Sequence, residues 1–269
     1  MASDHHAVPP DPGLSDADSG RLADVSGASH FAAPPARETV RLKLAAGTAR
    51  VDVNLPVASH RAPLVIVAHG FWRDRRSMSD WGSHLATEGF LAVVPDLPAW
   101  SDHLRNGRFV SDLRAYLCAH EPWSRRIDPL RVGLMGFSAG GLATLLSAVD
   151  DPQPAIWVGL DPVDRKGLGA RAAPAVECTA VVLTAEPSAC NGRGNSRRII
   201  AALPRCRHVH VAGAVHVDAE WPTDWKAEAI CGRSKEDRRA EFRRHATAAL
   251  HEALDAAERR QCLEAMLDS

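Results

Sequence analysis

The sequence predicts an α/β fold in which helices cover both faces of a twisted, mostly parallel sheet that opens with an antiparallel N-terminal hairpin. Three observations lead to this prediction. Short apolar runs alternate with segments of helical apolar spacing along the chain. The chain has 269 residues, which suits one large domain. None of its apolar runs approaches the roughly 18 residues that a membrane span needs.

The elements of this fold follow one another in a regular order. Residues 38–57 alternate apolar and polar side chains around Ala46 and Gly47, which is typical of a hairpin. Continuous apolar runs, typical of strands buried on both faces, follow at residues 63–70, 91–98 and 131–138, and further strands are predicted at residues 155–162, 178–187 and 207–216. Helical spacing predicts helices at residues 77–90, 109–119, 140–149, 195–204 and 235–267. Strands that alternate with helices in this way build a doubly wound sheet.

The first 36 residues differ in composition from the rest of the chain. They are rich in Pro, Gly, Ser and Asp, so we expect a disordered or loosely ordered arm ahead of a single domain over residues 37–269. The arm lacks the basic start and apolar core of a signal peptide, which favours a cytoplasmic protein, or a periplasmic or secreted one if an export signal has been removed. The sequence leaves open whether Cys190 and Cys231 form a disulfide.

A glycine-rich turn joins the strand predicted at residues 131–138 to the helix that follows. The turn reads GFSAG from Gly136 to Gly140 and matches the pattern G-x-S-x-G. Between a buried strand and a helix, this pattern is typical of a sharp turn that raises a serine hydroxyl above the sheet edge, where a base reaches it. The small flanking residues let the strand and the helix pass closely. We therefore predict that Ser138 is a catalytic nucleophile.

Acyl transfer to a serine needs an oxyanion hole, which is a pair of N–H donors for the negative oxygen that forms on the substrate. The first donor is expected from the backbone of Ala139, at the start of the helix after Ser138. The second usually comes from the loop after the third strand, which here reads HGFW from His69 to Trp72. We predict that Phe71 supplies this second N–H and that the Trp72 side chain lines the substrate pocket.

A histidine on a late loop is the expected base, because such sites follow the chain order nucleophile, acid, base. The chain has 13 histidines, and His216 stands at the end of the last predicted strand. We predict that His216 is the catalytic base. His208 and His210 form an H-x-H pair on one face of that strand but have no third ligand in register, so we expect no metal site.

Three carboxylates compete for the role of triad acid. Asp161 ends the strand at residues 155–162 and is the first choice. It would accept the Nδ1–H of His216, fix the tautomer and stabilise the imidazolium. Glu186, after the next strand, is the alternative acid, and Asp164 is a third candidate. The choice stays open, because sequence order does not measure the reach of a carboxylate to the imidazole.

Two groups of side chains in loops near these residues carry further expectations. Trp221, in the loop that contains His216, is predicted to line the substrate pocket together with Trp72. A basic stretch follows the predicted oxyanion loop, and we expect its side chains to be solvated charges on a turn. The basic residues are Arg73, Arg75 and Arg76.

The motifs around these residues resemble those of one enzyme superfamily. Five stretches resemble those of α/β hydrolases in the branch of chlorophyllases, bacterial polyester hydrolases and dienelactone hydrolases. They are VAHGFW, GFSAGG, GLDPVD, CNGRGN and HVDAEW. The resemblance extends from about residue 38 to residue 255 and implies the α/β-hydrolase fold. Chlorophyllase-like proteins have a similar DPVDG whose first aspartate is the triad acid, which supports Asp161. Ala139, Arg165 and Val215 depart from the chlorophyllase pattern and argue against chlorophyll as the substrate.

Together these observations predict a serine carboxylesterase, which is a carboxylic ester hydrolase that works through an acyl-enzyme. The sequence between Ser138 and His216 has no insertion long enough for a large helical lid. We therefore expect an open site for small-molecule esters with short to medium acyl chains, or for an exposed polyester. A peptidase or thioesterase with the same triad, and a non-catalytic binding module, remain alternatives. The chemistry needs no cofactor, and a net charge of −1 predicts no nucleic-acid partner. The oligomeric state stays open.

Overall fold

A computed structural model describes residues 36–57 and 61–267 of the chain. Within them, eight strands form one sheet in the order β1-β2-β4-β3-β5-β6-β7-β8. The pairs β1–β2 and β2–β4 are antiparallel, and the other neighbours are parallel. The strands are β1 (Ala36–Leu44), β2 (Gly47–Leu55), β3 (Ala62–Ala68), β4 (Leu91–Pro95), β5 (Ile127–Phe137), β6 (Ile156–Leu160), β7 (Thr179–Thr184) and β8 (Arg207–His210).

Helices cover both faces of this sheet. They are α1 (Ser79–Thr87), α2 (His103–Ala119), α3 (Ala139–Ala148), α4 (Leu168–Ala172), α5 (Arg197–Ala202), α6 (Trp225–Cys231) and α7 (Glu236–Leu267). The sheet has one hydrophobic core on each face. Alternate residues of β3 pack into opposite cores, because successive side chains of a strand point to opposite faces. Leu64 and Ile66 pack with residues of α2, α3 and α5, whereas Val65 and Val67 pack with residues of α1 and α7. This burial on both faces explains the continuous apolar runs of the sequence.

The structure confirms the predicted hairpin and most of the alternating strands and helices, and it changes some bounds. α2 begins at His103 rather than near residue 109, because the Asp102 side chain caps it by accepting the backbone N–H of Arg105. β8 ends at His210, and the chain turns before residue 216 at Gly213, which has a positive φ of 70°. α4 and α6 are additional short helices. α6 buries none of its residues, so it has no apolar periodicity that would predict it.

Two predictions concern the ends of the chain and the membrane. The arm predicted over residues 1–36 lies outside the described residues, apart from Ala36, which begins β1. Across residues 36–57 and 61–267, no helix is both long enough and apolar enough to cross a bilayer.

The strand order places the predicted site at one edge of the sheet. The chain runs from β3 outward to β4 on one side and from β5 to β8 on the other. In open α/β sheets, ligands bind at the carboxyl ends of the strands where the order reverses in this way. Ser138 directly follows β5, next to the end of β3, and Asp161 directly follows β6. The fold thereby brings residues that are distant in sequence to one edge.

Candidate active site

Ser138 sits on the tight turn between β5 and α3 that the sequence predicts. Its backbone has φ of 53° and ψ of −118°, a conformation that side-chain-bearing residues rarely adopt and that costs about 1–3 kcal/mol. The end of β6 holds it there: the Ser138 N–H donates to the Leu160 carbonyl at 3.0 Å, and its carbonyl accepts the Val163 N–H at 3.1 Å. These bonds offset the strain and fix the direction of the hydroxyl.

The glycines around Ser138 are required by close contacts between backbones. A Cβ on Gly136 would lie 2.3 Å from the Gly140 carbonyl oxygen, on the helix that follows. A Cβ on Gly140 would lie 2.3 Å from the His69 carbonyl oxygen, on the loop after β3. Both distances are far below van der Waals contact, and both obstructing atoms belong to backbone. The turn therefore packs against the predicted oxyanion loop only because these two residues have no side chain.

The structure brings Ser138, His216 and Asp161 into one chain of hydrogen bonds. The Ser138 hydroxyl lies 3.0 Å from His216 Nε2, and His216 Nδ1 lies 2.6 Å from Asp161 Oδ2. An ionised carboxylate only accepts hydrogen bonds, so Nδ1 carries the ring proton and Nε2 is free to accept the serine proton. The Phe137 ring packs on the imidazole with centroids 4.6 Å apart. All three polar side chains are buried.

The Asp161 carboxylate accepts hydrogen bonds from three donors. Besides His216, its carboxylate accepts the Ala185 backbone N–H at 3.2 Å and the Asn191 side-chain N–H at 3.0 Å. Its own backbone has a positive φ of 42°, and its N–H donates to the Leu183 carbonyl at 2.7 Å. The carboxylate is completely buried, so these donors are what compensates its charge. Asn191 is a residue of this site that the sequence analysis did not single out, although its motif CNGRGN was noted.

The other two candidate acids have different partners. Glu186 is half exposed and bonds the His210 ring at 3.1 Å and the Gly213 N–H at 2.9 Å. The Gly213 N–H, followed by His210, lowers the pKa of the Glu186 carboxyl. Asp164 accepts the backbone N–H of Gly169, in the first turn of α4, at 2.8 Å, so it satisfies a donor that has no acceptor within that helix. The structure therefore brings Asp161 to His216 and leaves Glu186 and Asp164 elsewhere.

The loop that carries His216 is fixed by a second aspartate. Asp218 accepts the Val215 N–H at 2.7 Å and the Lys235 N–H at 2.7 Å, so it ties the residue before His216 to the start of α7. Burial raises the pKa of the Asp218 carboxyl. The Cys190–Cys231 disulfide, left open by the sequence, joins the loop that carries Asn191 to the end of α6.

The two predicted oxyanion donors lie on adjoining backbone segments. Ala139 is the first residue of α3, so its N–H has no acceptor within the helix. The Phe71 N–H has no acceptor among the residues that the structure describes. A Cβ on Gly70, the residue before Phe71, would lie 3.3 Å from the Ser138 Cβ, which shows how closely this loop approaches the serine. The arrangement leaves both N–H groups free for a ligand.

His69 anchors the oxyanion loop in its neutral form. Its Nδ1 lies 2.8 Å from the Gly70 carbonyl oxygen, which only accepts, and its Nε2 lies 3.0 Å from the Leu97 N–H, which only donates. The imidazole must therefore carry a proton on Nδ1 and none on Nε2. Burial lowers the pKa of His69, which favours the same state. The ring thus connects the end of β3 to the loop after β4.

A small cavity of 110 Å³ opens beside this loop and reaches Ala139. Phe71, Trp72 and Trp100 form an aromatic cluster at its wall: the first two rings stack at 4.9 Å, and Trp100 meets both edge-on. Trp72 lies at the wall of this cavity, and its role in binding substrate stays a prediction. His103 also lines this cavity and is buried there.

Trp221 and the basic stretch make contacts that the sequence does not predict. The Trp221 ring packs against Trp81 and lies 4.3 Å from the Arg243 guanidinium, so it joins α1 to α7. A substrate-binding role for Trp221 stays a prediction that these contacts do not favour. Arg73 and Arg75 are largely buried and paired with carboxylates, whereas Arg76 is exposed, so the expectation of solvated charges is wrong for the first two. No pattern in the sequence indicates which carboxylates Arg73 and Arg75 pair with.

The fold described above is the α/β-hydrolase fold, as the sequence predicts. Among solved structures, the chain is similar to dienelactone hydrolase from Anabaena variabilis ATCC 29413, with a TM-score of 0.60, 19% identity and coverage of 79% of this chain and 99% of that one. A provisionally assigned dienelactone hydrolase from Klebsiella pneumoniae subsp. pneumoniae MGH 78578 gives a TM-score of 0.63, 18% identity and coverage of 80% and 98%. No protein-family model and no curated protein matches the chain.

The contact between Asn191 and Asp161 leads to a first prediction. Asn191→Ala removes one N–H donor from the buried carboxylate, and we expect kcat of a reaction that uses Ser138 and His216 to fall about tenfold with little change in KM, because a hydrogen bond to a charged group is worth about 1.5–3 kcal/mol. Asn195→Ala is the matched control, since Asn195 makes two similar bonds to the backbone of Asp164 in the same region. Equal losses of kcat in the two variants would contradict a role of Asn191 in positioning Asp161.

Proposed function

We propose that this chain is a serine hydrolase that cleaves carboxylic esters through an acyl-enzyme intermediate. The observation that carries the proposal is the continuous hydrogen-bond chain from Ser138 through His216 to Asp161, with bonds of 3.0 and 2.6 Å. Two free N–H groups, of Phe71 and Ala139, adjoin the serine and are suited to an oxyanion. The similarity to dienelactone hydrolase structures supports a hydrolase on this fold.

Acylation follows from the positions of the protons. As the Ser138 oxygen attacks the ester carbonyl, its proton passes to His216 Nε2, 3.0 Å away. Asp161 stabilises the imidazolium that results and is not itself protonated. The carbonyl oxygen becomes negative and accepts hydrogen bonds from the N–H groups of Phe71 and Ala139. His216 then returns the proton to the alcohol, which leaves, and the acyl group remains on the serine oxygen.

Deacylation repeats these steps with water. His216 takes a proton from a water molecule, whose oxygen attacks the acyl carbonyl, and the oxyanion is again held by the two N–H groups. The tetrahedral intermediate collapses with return of the proton to the Ser138 oxygen, and a carboxylic acid is released. These groups all come from the chain itself, and the neutral Nδ1–H tautomer of His216 is ready for the first step because Asp161 accepts that proton.

We infer that the cavity beside the oxyanion loop receives the acyl group, because it reaches Ala139, the residue after Ser138. Its 110 Å³ is less than the volume of about 150 Å³ in which an engineered apolar cavity binds one benzene ring. We therefore infer that acyl groups of about two to four carbons are preferred. Trp72 and Trp100 are mostly exposed at its mouth, so a polymer ester could also reach the site from solvent.

A series of p-nitrophenyl esters with acyl chains of increasing length tests both activity and pocket size. We expect kcat/KM to be highest between acetate and butyrate and to fall about tenfold or more by octanoate, because the longer chain leaves apolar carbons in water. The butyryl thioester and butyramide, assayed beside the ester, distinguish the alternatives. Faster cleavage of the thioester or amide than of the ester would contradict a carboxylesterase.

Trp100→Ala tests whether this cavity determines the preferred length of the acyl chain. Removal of the indole widens the cavity, so the ratio of octanoate to butyrate kcat/KM should rise. Trp225→Ala is the control, because Trp225 is equally exposed but lies on α6, outside the lining of this cavity. A chain-length profile that changes equally in both variants would contradict the assignment of the acyl pocket.

A further inference from the structure

A buried ion pair that the proposed mechanism does not use connects two loops of the site. Arg73, two residues after Phe71, donates from Nε to Glu220 Oε1 at 2.5 Å and from Nη2 to Glu220 Oε2 at 3.0 Å. This bidentate geometry fixes the orientation of the guanidinium relative to the carboxylate. Nη1 of the same guanidinium donates to Asp224 Oδ2 at 2.8 Å. The Glu220 side chain is completely buried, and that of Arg73 is 19% exposed.

Each partner of this pair is joined to a loop of the predicted site by its own backbone. The Arg73 N–H donates to the Gly70 carbonyl at 3.3 Å and closes the turn that carries Phe71 and its N–H. The Glu220 N–H donates to the Val217 carbonyl at 3.2 Å and ends the short 3₁₀ turn that begins at His216. The guanidinium and carboxylate therefore link the oxyanion turn to the turn that carries the base.

A contribution to folding stability does not by itself explain this buried ion pair. Burying two charges costs several kcal/mol per ion, and well-packed apolar residues often do as well or better. Burial raises the pKa of the Glu220 carboxyl, although Arg73 opposes that shift. What apolar residues do not provide is a fixed distance and direction, which two parallel N–H···O bonds impose. This difference points to a role in geometry.

We propose, on the basis of the esterase function proposed above, that Arg73 and Glu220 are positioning residues that set the oxyanion donor of Phe71 relative to the base His216. The two groups act on the transition state together, because the oxyanion and the transferred proton arise in the same step. Arg73 lines the cavity beside the oxyanion loop, but among the described residues neither Arg73 nor Glu220 makes a hydrogen bond or ion pair to Ser138, His216 or Asp161. Their effect is on the placement of the loops, and a misplacement of about 1 Å is enough to cost on the order of 100-fold in rate.

Arg73→Met is the first test. We expect kcat for p-nitrophenyl butyrate to fall about 10- to 100-fold, with KM within about threefold of wild type, because the lost geometry matters only in the transition state. Labelling by a fluorophosphonate should slow by a similar factor. Arg131→Met is the control: the Arg131 side chain is 10% exposed and pairs with the half-exposed Asp255 and Glu258 of α7, and it lies within β5, seven residues before Ser138. It should lower Tm and leave kcat within about twofold.

Two more variants separate geometry from charge. Arg73→Met leaves the Glu220 carboxylate buried without a partner, which itself can unfold the protein. The double variant Arg73→Met with Glu220→Met removes both charges, so it should recover Tm and keep the low kcat. Arg73→Lys retains one positive charge but not the two parallel bonds. It should have Tm near wild type and an intermediate kcat.

The results of these variants distinguish a positioning role of the Arg73–Glu220 pair from a purely structural one. A double variant with wild-type kcat overturns the inference, because the pair would then serve only to neutralise a buried charge. A loss of kcat in Arg131→Met equal to that in Arg73→Met overturns it as well, since the effect would follow stability. Wild-type protein that neither hydrolyses esters nor reacts with the fluorophosphonate contradicts the proposed function itself. Low kcat with recovered Tm in the double variant supports the positioning role.

Discussion

Ser138→Ala is expected to lower kcat for p-nitrophenyl butyrate by about 10⁴- to 10⁶-fold, which is the effect of removing a serine nucleophile from a working triad. The physical reason is that the Ser138 hydroxyl, 3.0 Å from His216 Nε2, is the group that we propose attacks the ester and gives up its proton. KM should change little. Circular dichroism and Tm should stay close to wild type, because alanine is accommodated in the same turn without a new clash.

Ser147→Ala is the control for this experiment. Ser147 is as buried as Ser138 and lies near the end of α3, where it bonds the Ser111 hydroxyl at 2.8 Å, away from His216. Its removal should cost some stability and leave kcat within about twofold, as expected of a buried hydrogen bond distant from the chemistry. Substantial turnover in Ser138→Ala would contradict the assignment of the nucleophile, whatever the control shows.

The second large effect is expected from Asp161→Asn, with a fall in kcat of about 10⁴-fold. The Asp161 carboxylate accepts N–H groups from His216, Ala185 and Asn191. An asparagine has only one acceptor oxygen, so its NH₂ group must face one of these donors. If it faces His216, Nδ1 becomes an acceptor and the proton moves to Nε2, where it prevents removal of the serine proton. The measurement is kcat, together with Tm to account for the structural cost.

Glu186→Gln is the control for Asp161→Asn. Glu186 bonds His210 and the Gly213 backbone at the surface, so its amide variant should retain wild-type kcat. The two variants change the same chemical group at positions that both follow sheet strands, and only one of those positions contacts His216. Loss of activity in the Glu186 variant, with activity kept in the Asp161 variant, would show that the triad acid is wrongly assigned.

The turn at Ser138 could be predicted because its causes are local. A buried strand, a turn of small residues and a helix follow one another within residues 127–148, and each leaves a pattern in the sequence. The close contacts of Gly136 and Gly140 with neighbouring backbone explain why those positions admit no side chain. The same reasoning located the hairpin, since the alternation over β1 and β2 and the turn between them belong to one short segment.

The remaining parts of the site depend on contacts between distant segments. Asn191 reaches Asp161 across 30 residues, and Glu220 reaches Arg73 across 147. These side chains meet because the loops after β3, β6 and β7 and the loop before α6 converge at one sheet edge. Periodicity predicts the strands but carries no information about which loop side chains then touch. For that reason the sequence left the acid open and treated Arg73 as a solvated charge.

The most direct test of the account is covalent trapping of the wild-type protein with a fluorophosphonate, followed by peptide mapping by mass spectrometry. The reagent phosphonylates a serine only where a base removes its proton and an oxyanion site holds the phosphoryl oxygen. We expect one adduct, on Ser138, and none in the His216→Ala variant. An adduct on another residue, or unmodified wild-type protein under conditions that fully label a known serine hydrolase, would contradict the claim that Ser138 is an activated nucleophile.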